Sequence, residues 1–199
     1  MPELRYTPGI ELPPYSYVPG HELPHPVNDP AGHLYASSKE QIILEPANSL
    51  DSLASDPRWL YALDLFNAGF YWEAHEAWEV FWHALGRTSP EARFTQGLIH
   101  LAAAAVKIRE GKPSGVVSHT QRARELLGDL KAGSFSGTLG LDPQSISAVV
   151  AELEAYTPAC WHTSRTPAVR VLVAELRVRF GQGQEESGRQ GLGGSEKQG

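Results

Sequence analysis

The sequence predicts an all-α domain, a compact bundle of four or five helices with an extended proline-rich N-terminal arm and a disordered C-terminal tail. Three observations carry that expectation. A capping residue followed by proline, the mark of a helix start, occurs at Asp56-Pro57, Ser89-Pro90 and Asp142-Pro143. Downstream of these starts, apolar residues recur at the helical spacing of three and four. No self-similar period of about 20 to 50 residues marks a solenoid. The chain divides into an arm over residues 1 to 50, a helical domain over 51 to 180 and a tail over 181 to 199.

Residues 1 to 50 hold nine of the fifteen prolines. Proline fixes its own φ and restricts its predecessor, so this stretch cannot stay helical. Tyr15, Tyr17, Val18, Leu23, Val27, Leu34 and Tyr35 give it apolar anchors, and it is expected to lie ordered and extended on the helical body. His21, His25 and His33 ride on it and read as hydrogen-bonding turn and surface residues rather than metal ligands.

The first helix opens at Asp56-Pro57 and buries Trp59, Leu60, Leu63 and Phe66; Asn67-Ala-Gly69 closes it as a left-handed cap. Phe70 leads into a second helix with a core stripe of Tyr71, Ala74, Trp78, Phe81 and Leu85, and with Glu73, Ala77 and Ala84 toward solvent. The third starts at Ser89-Pro90-Glu91 and is almost wholly apolar as far as Ile108. After a break at Glu110-Gly-Lys-Pro113, a fourth runs from about 114 to 131 with Val116, Val117, Ala123, Leu126, Leu127 and Leu130 inward. Its Arg122 and Arg124 read as a solvated or salt-bridged face. Residues 131 to 140 form a loop, and a shorter fifth helix follows Asp142-Pro143 to about Tyr156. The stretch 157 to 165, with Pro158, Cys160, Trp161 and His162, is irregular. Over 168 to 180, Val171, Val173, Leu176, Val178 and Phe180 alternate as in a strand, yet no partner strand is evident; an extended start and a short helical end are expected. From Gly181 onward, seven glycines in nineteen residues and almost nothing apolar predict disorder.

Bulk composition removes several classes. A single cysteine, Cys160, excludes an intramolecular disulfide and a thiolate metal cluster, which fits a reducing cytoplasm. The formal charge of −6, with both signs interspersed, leaves no basic stripe for nucleic acid. Neither a signal core nor an apolar run of about 18 residues is present, so a soluble cytoplasmic protein with no membrane partner is expected.

The chemistry concentrates between residues 66 and 107. The run Phe66-Asn-Ala-Gly-Phe-Tyr-Trp-Glu-Ala-His-Glu-Ala-Trp-Glu-Val-Phe-Trp82 sets His75 and Glu79 one turn apart on a face flanked by Trp72 and Trp82, with Glu76 and His83 at its edge. On the next helix, Gln96, His100, Ala103 and Lys107 share one narrow stripe. The link 86 to 89 is short enough to make the two helices antiparallel, and equal rise then gives facing positions an index sum of roughly 175. That register places Glu79 opposite Gln96 and His75 opposite His100.

These residues carry a resemblance. Phe66-Asn67-x-Gly69-x-Tyr71-x-x-x-His75-Glu76-x-x-Glu79-x-x-Trp82, followed by Gln96-Gly97-Leu98-Ile99 and an alanine run, is similar to the small prokaryotic helical family catalogued as domain of unknown function 309. The similarity spans about Trp59 to Leu130, and phrases of the arm resemble the leader of some members. It implies a compact all-α fold and self-association, as in a homodimer, with no assigned activity. His100 departs from the glutamine usual in the family, which adds a ligand-capable group but weakens any claim that it is essential to a shared chemistry.

Three readings of the site follow. His75, Glu79 and His100 can ligate a divalent metal such as zinc, manganese or iron, with Glu76 or Gln96 in support, although the spacing is His-Glu-x-x-Glu and not that of zinc proteases. Without metal, His75, Glu76 and Glu79 can act as acid and base on a small molecule held by Tyr71, Trp72, Trp82, Gln96 and Lys107. The plain alternative is a self-associating module whose His/Glu/Gln cluster is a buried polar network.

Overall fold

The computed structural model describes residues 5–35, 53–128, 138–156 and 170–178. Among them are five helices, α1 (Pro57–Asn67), α2 (Tyr71–Ala84), α3 (Pro90–Arg109), α4 (Pro113–Gly128) and α5 (Pro143–Glu154), and no strand beyond an isolated antiparallel bridge between Leu141 and Val178. No helix among them is long and apolar enough to cross a membrane. The expectations for residues 157 to 165, for Cys160 and for the tail at 181 to 199 lie outside the described residues.

The predicted starts are all used. Asp56 accepts from the Arg58 N–H at 2.8 Å, Ser89 from Ala92 at 3.1 Å and Asp142 from Gln144 and Ser145, each ahead of a proline at the first helical position. The ends of α1 and α2 are set by Gly69 (φ 88°) and Gly86 (φ 82°). At both, the glycine N–H and the next N–H reach back to carbonyls of the last turn, Phe66 and Leu65 in one case, His83 and Trp82 in the other.

The core is centred on α3, whose Leu98, Leu101, Ala102, Ala104, Ala105 and Ile108 are sealed from solvent between α2 and α4. Gly97 lets α4 come close, since a Cβ there would sit 2.6 Å from Leu127. Trp59 and Trp78 fill the α1–α2 side. Val117, expected inward, is instead 67% exposed: it lies one residue round from the buried Val116, on the solvent side of α4. Arg122 and Arg124 pair with Glu125 and Glu154 on the exposed face, as anticipated.

Two segments without regular structure are tied to the helices by side chains. The arm, turn-rich over 5–35, delivers the Tyr6 and Thr7 N–H groups and the Thr7 hydroxyl to the buried Asp64 carboxylate of α1, beside the Arg5 guanidinium. Tyr17 N–H donates to Glu73 Oε1 at 2.8 Å. Glu73, assigned to solvent from the periodicity, is therefore 4% exposed, because the arm covers that face of α2.

Residues 170–178 form no helix, with a bend at Val173 and a bridge at Val178, and the last positions of the short helix expected there, 179 and 180, lie outside the described residues. Side chains take the place of a partner strand. The Tyr71 hydroxyl accepts from Val171 and Leu172, Asn67 both donates to the Leu176 carbonyl and accepts from its N–H, and Glu152 accepts from Val173 and Ala174. The Tyr6 hydroxyl accepts from Val178.

Replacing Tyr71 by Phe leaves two buried N–H groups unpaired, so Tyr71→Phe should lower unfolding free energy by about 2 kcal/mol or more in urea titrations. Burial pushes the Glu73 carboxyl up to about 7, offset only partly by the Tyr17 N–H and other hydrogen bonds. Between the ordinary carboxyl value and about 7 the folded chain holds a proton that the unfolded chain releases, so this group's stabilising contribution is lost as pH rises through that window. Glu73→Gln should flatten the dependence, read as urea midpoint against pH.

Candidate functional site

The α2–α3–α4 seam opens in a cleft of about 230 Å³ lined by Trp72, His75, Lys107, Glu110 and His119, with Ala103 and Val106 at its base and Pro19 of the arm at its edge. Each wall has a local cause. His75 and Trp72 share a face of α2, one turn short of each other. Lys107 and Glu110 are a turn apart at the end of α3, where Lys107 Nζ lies 2.6 Å from Glu110 Oε1 and Lys112 Nζ lies 2.6 Å from Oε2. Burial raises the Glu110 carboxyl, but the two ammonium groups outweigh it and hold it below the usual range.

His100 and His119 face each other with their Nδ1 atoms 2.9 Å apart, one ring donating and the other accepting. Burial lowers the His100 value to about 4, reinforced by His119, Arg122 and His75. His119 is lowered by burial and by Lys107 and His75, against an opposing pull from Glu110. Both rings are thus held neutral at pH 7.

On the solvent side of His75, its Nδ1 lies 3.6 Å from Glu76 Oε1, and one donor atom from each of His75, Glu76 and Glu79 falls within 4.8 Å of the others. All three are half-buried, not enclosed. An ion at about 2.1 Å from each donor needs them roughly 3 to 3.5 Å apart, a rotamer adjustment that half-exposed side chains can make.

The sequence-derived candidates thus separate into groups. His75, Glu76 and Glu79 come together, and His75, Trp72 and Lys107 share the cleft. His100 turns to His119, and Gln96 and Trp82 do not line the cleft. Trp82 lies under the Arg87 guanidinium at 5.5 Å and beside His83. Tyr71, 1% exposed, offers no surface to a ligand and holds residues 171 and 172 instead. His75 and Trp72 share the cleft with Ala103 and Val106 of α3, and His75 lies within electrostatic reach of His100, whose Nδ1 turns to His119.

Glu110 and His119 were not singled out from the sequence, though a signal existed. Lys112 N–H bonds to the Lys107 carbonyl across the next turn, an index sum of 219, and the same sum pairs His100 with His119. The short link at 110 to 112 is as legible as the one at 86 to 89.

Because the unfolded chain protonates His100 below about 6.5 and the folded chain only near 4, acidification across that window should cost stability. His100→Asn should reduce the slope of melting temperature against pH there, an effect opposite in sign to that of Glu73.

No curated protein and no solved structure matches the chain. Residues 59–119, from Trp59 in α1 to His119 in α4, match the family described as Domain of unknown function (DUF309). That stretch holds α1, α2, α3 and the half of α4 that reaches His119, but neither the arm nor α5. The chain resembles this family across the helices that build the cleft.

Proposed function

We propose that His75, Glu76 and Glu79 bind a divalent cation at the edge of the cleft that His75 lines, and that the cleft holds a small anionic molecule beside it, with hydrolase-type acid and base chemistry as its use. The observation that carries the reading is the approach of one imidazole nitrogen and two carboxylates to within 4.8 Å on a half-exposed helical face. One nitrogen and two oxygens suit zinc, manganese or iron(II), and their partial exposure leaves positions for water or a ligand. A bound ion would supply Lewis acidity and a more acidic water.

The remaining residues have separate tasks. Lys107 and the neutral His119 line the same cleft and can meet an anionic group and donate to or accept from it, while Trp72 provides an apolar wall. Glu110 neutralises part of the lysine charge, so the cleft favours a weakly charged anion over a polyanion. The buried-network alternative fits these three residues less well, because they are half-exposed and escape the desolvation cost that such a network has to offset.

Protein purified without a histidine tag and passed through EDTA should gain melting temperature on addition of zinc or manganese, following mass action. Glu76→Gln combined with Glu79→Gln should abolish the gain while leaving the apo melting temperature nearly unchanged. Equal metal response in the double variant, or none in the parent, would remove the reading.

A further inference from the structure

Another face of α2 carries a second cavity, bordered at one edge by Glu76, which also belongs to the proposed ion site. It measures about 240 Å³ and is closed by the arm: Pro13, Val27 and Leu34 face Tyr61 and Leu65 of α1 and Ala77 and Val80 of α2. Three ionisable side chains border this largely apolar lining, His33, Glu73 and the half-buried Glu76, and the first two are the most deeply buried. His33 from the arm is 9% exposed and Glu73 from α2 is 3% exposed in their side chains, with His33 Nε2 at 3.7 Å from Glu73 Oε1. That is too long for a direct hydrogen bond.

His33 has no hydrogen bond there, and Glu73, held by the Tyr17 N–H and the Ser16 hydroxyl, keeps unused capacity. Among the described residues, both imidazole nitrogens of His33 and Glu73 Oε2 are buried without a hydrogen-bond partner, whereas Glu73 Oε1 takes the Tyr17 N–H. Native interiors leave few such groups, because each is costly unless a partner arrives. The imidazole is also held in place, packed edge-on against Tyr15 at 4.6 Å. The arrangement is a fixed donor–acceptor pair at one wall of an otherwise greasy chamber. A lining made mostly of apolar side chains favours an uncharged partner.

We propose that the arm cavity is a binding site for a small neutral amphiphile, a single ring or short alkyl chain ending in a hydroxyl that both donates and accepts, with its hydroxyl between His33 and Glu73. The size agrees, since an apolar cavity of roughly 150 Å³ holds benzene and this one is larger by about a short alkyl substituent. A hydroxyl serves either protonation state of Glu73, donating to a carboxylate or accepting from a carboxylic acid, and His33 takes the complementary role. An ether lacks the donor, and a carboxylate would be buried against Glu73 uncompensated. Ligand binding would also bridge arm and helix, and so tighten the arm on the body.

The probe is 4-ethylphenol, titrated in EDTA so that the ion site does not contribute. Its addition should shift the His33 ring signals in proton–carbon NMR while leaving those of His75 in place, and 4-ethylanisole and 4-ethylbenzoate should bind at least tenfold more weakly. Ala77→Trp, which fills the chamber, should weaken phenol binding at least tenfold with circular dichroism unchanged. If that variant does not fold, Glu73→Leu gives the same reading through the head group. Absence of any His33 shift at millimolar probe, equal affinity for the ether, or undiminished binding in a folded filled variant would overturn the proposal and leave a buried water as the partner of the pair.

Discussion

Buried carboxylates on α1 and α2 are what the rest of the structure depends on. A proline-rich arm has no ladder or helix to absorb its backbone N–H groups, and an apolar helix face cannot supply acceptors. Asp64 and Glu73 provide them, at Tyr6, Thr7 and Tyr17, and the arm then covers Trp72, Tyr61 and the chamber beside Glu73. The two acids differ in surroundings: Asp64 has the Arg5 guanidinium at 3.7 Å, whereas Glu73 has only a distant influence from the sealed Arg109 and the arm imidazole. One is a charged clasp and the other a group balanced between two protonation states.

Much of the architecture was legible because it rests on local chemistry. The Asp-Pro and Ser-Pro starts and the glycine end of α1 are written within a few residues of where they act, and they hold, as does most of the 3.6-residue period, with Val117 and Glu73 as its exceptions. What was not legible depends on distant partners. Glu73 has the spacing of a solvent position, and only the arm, more than fifty residues earlier, makes it interior. Residues 170–178 alternate like a strand but pair with side chains, and neither Asn67 nor Tyr71 announces that role. The same applies to the site: His75, Glu76 and Glu79 lie on one helix and were found together, while His100 turns to a partner on α4, His119, that the pattern of α2 and α3 does not announce.

The run of residues from Asn67 to Glu79, inside the matched stretch, divides accordingly. Asn67, Gly69 and Tyr71 serve the architecture by ending α1 and gripping the extended segment, and His75, Glu76 and Glu79 occupy the half-exposed face beside the cleft. A dense run of aromatic and ionisable residues is thus two overlapping sets of instructions. α2 turns one face to the α3–α4 cleft and the other to the arm chamber, and Glu76 borders the second while standing with the first group.

The stitching of residues 170–178 has a consequence for how the molecule is made. Val178 reaches Tyr6 across 172 positions of sequence, and Leu176 reaches Asn67 across 109. Such far-apart closures are entropically slow and come late. During synthesis the helices can assemble as they emerge, yet the hydroxyl of Tyr71 and the amide of Asn67 wait without their partners until the ribosome has released nearly the whole of the described chain. Nascent intermediates therefore carry an open seam along α1 and α2, and that seam is where premature association between growing chains would begin.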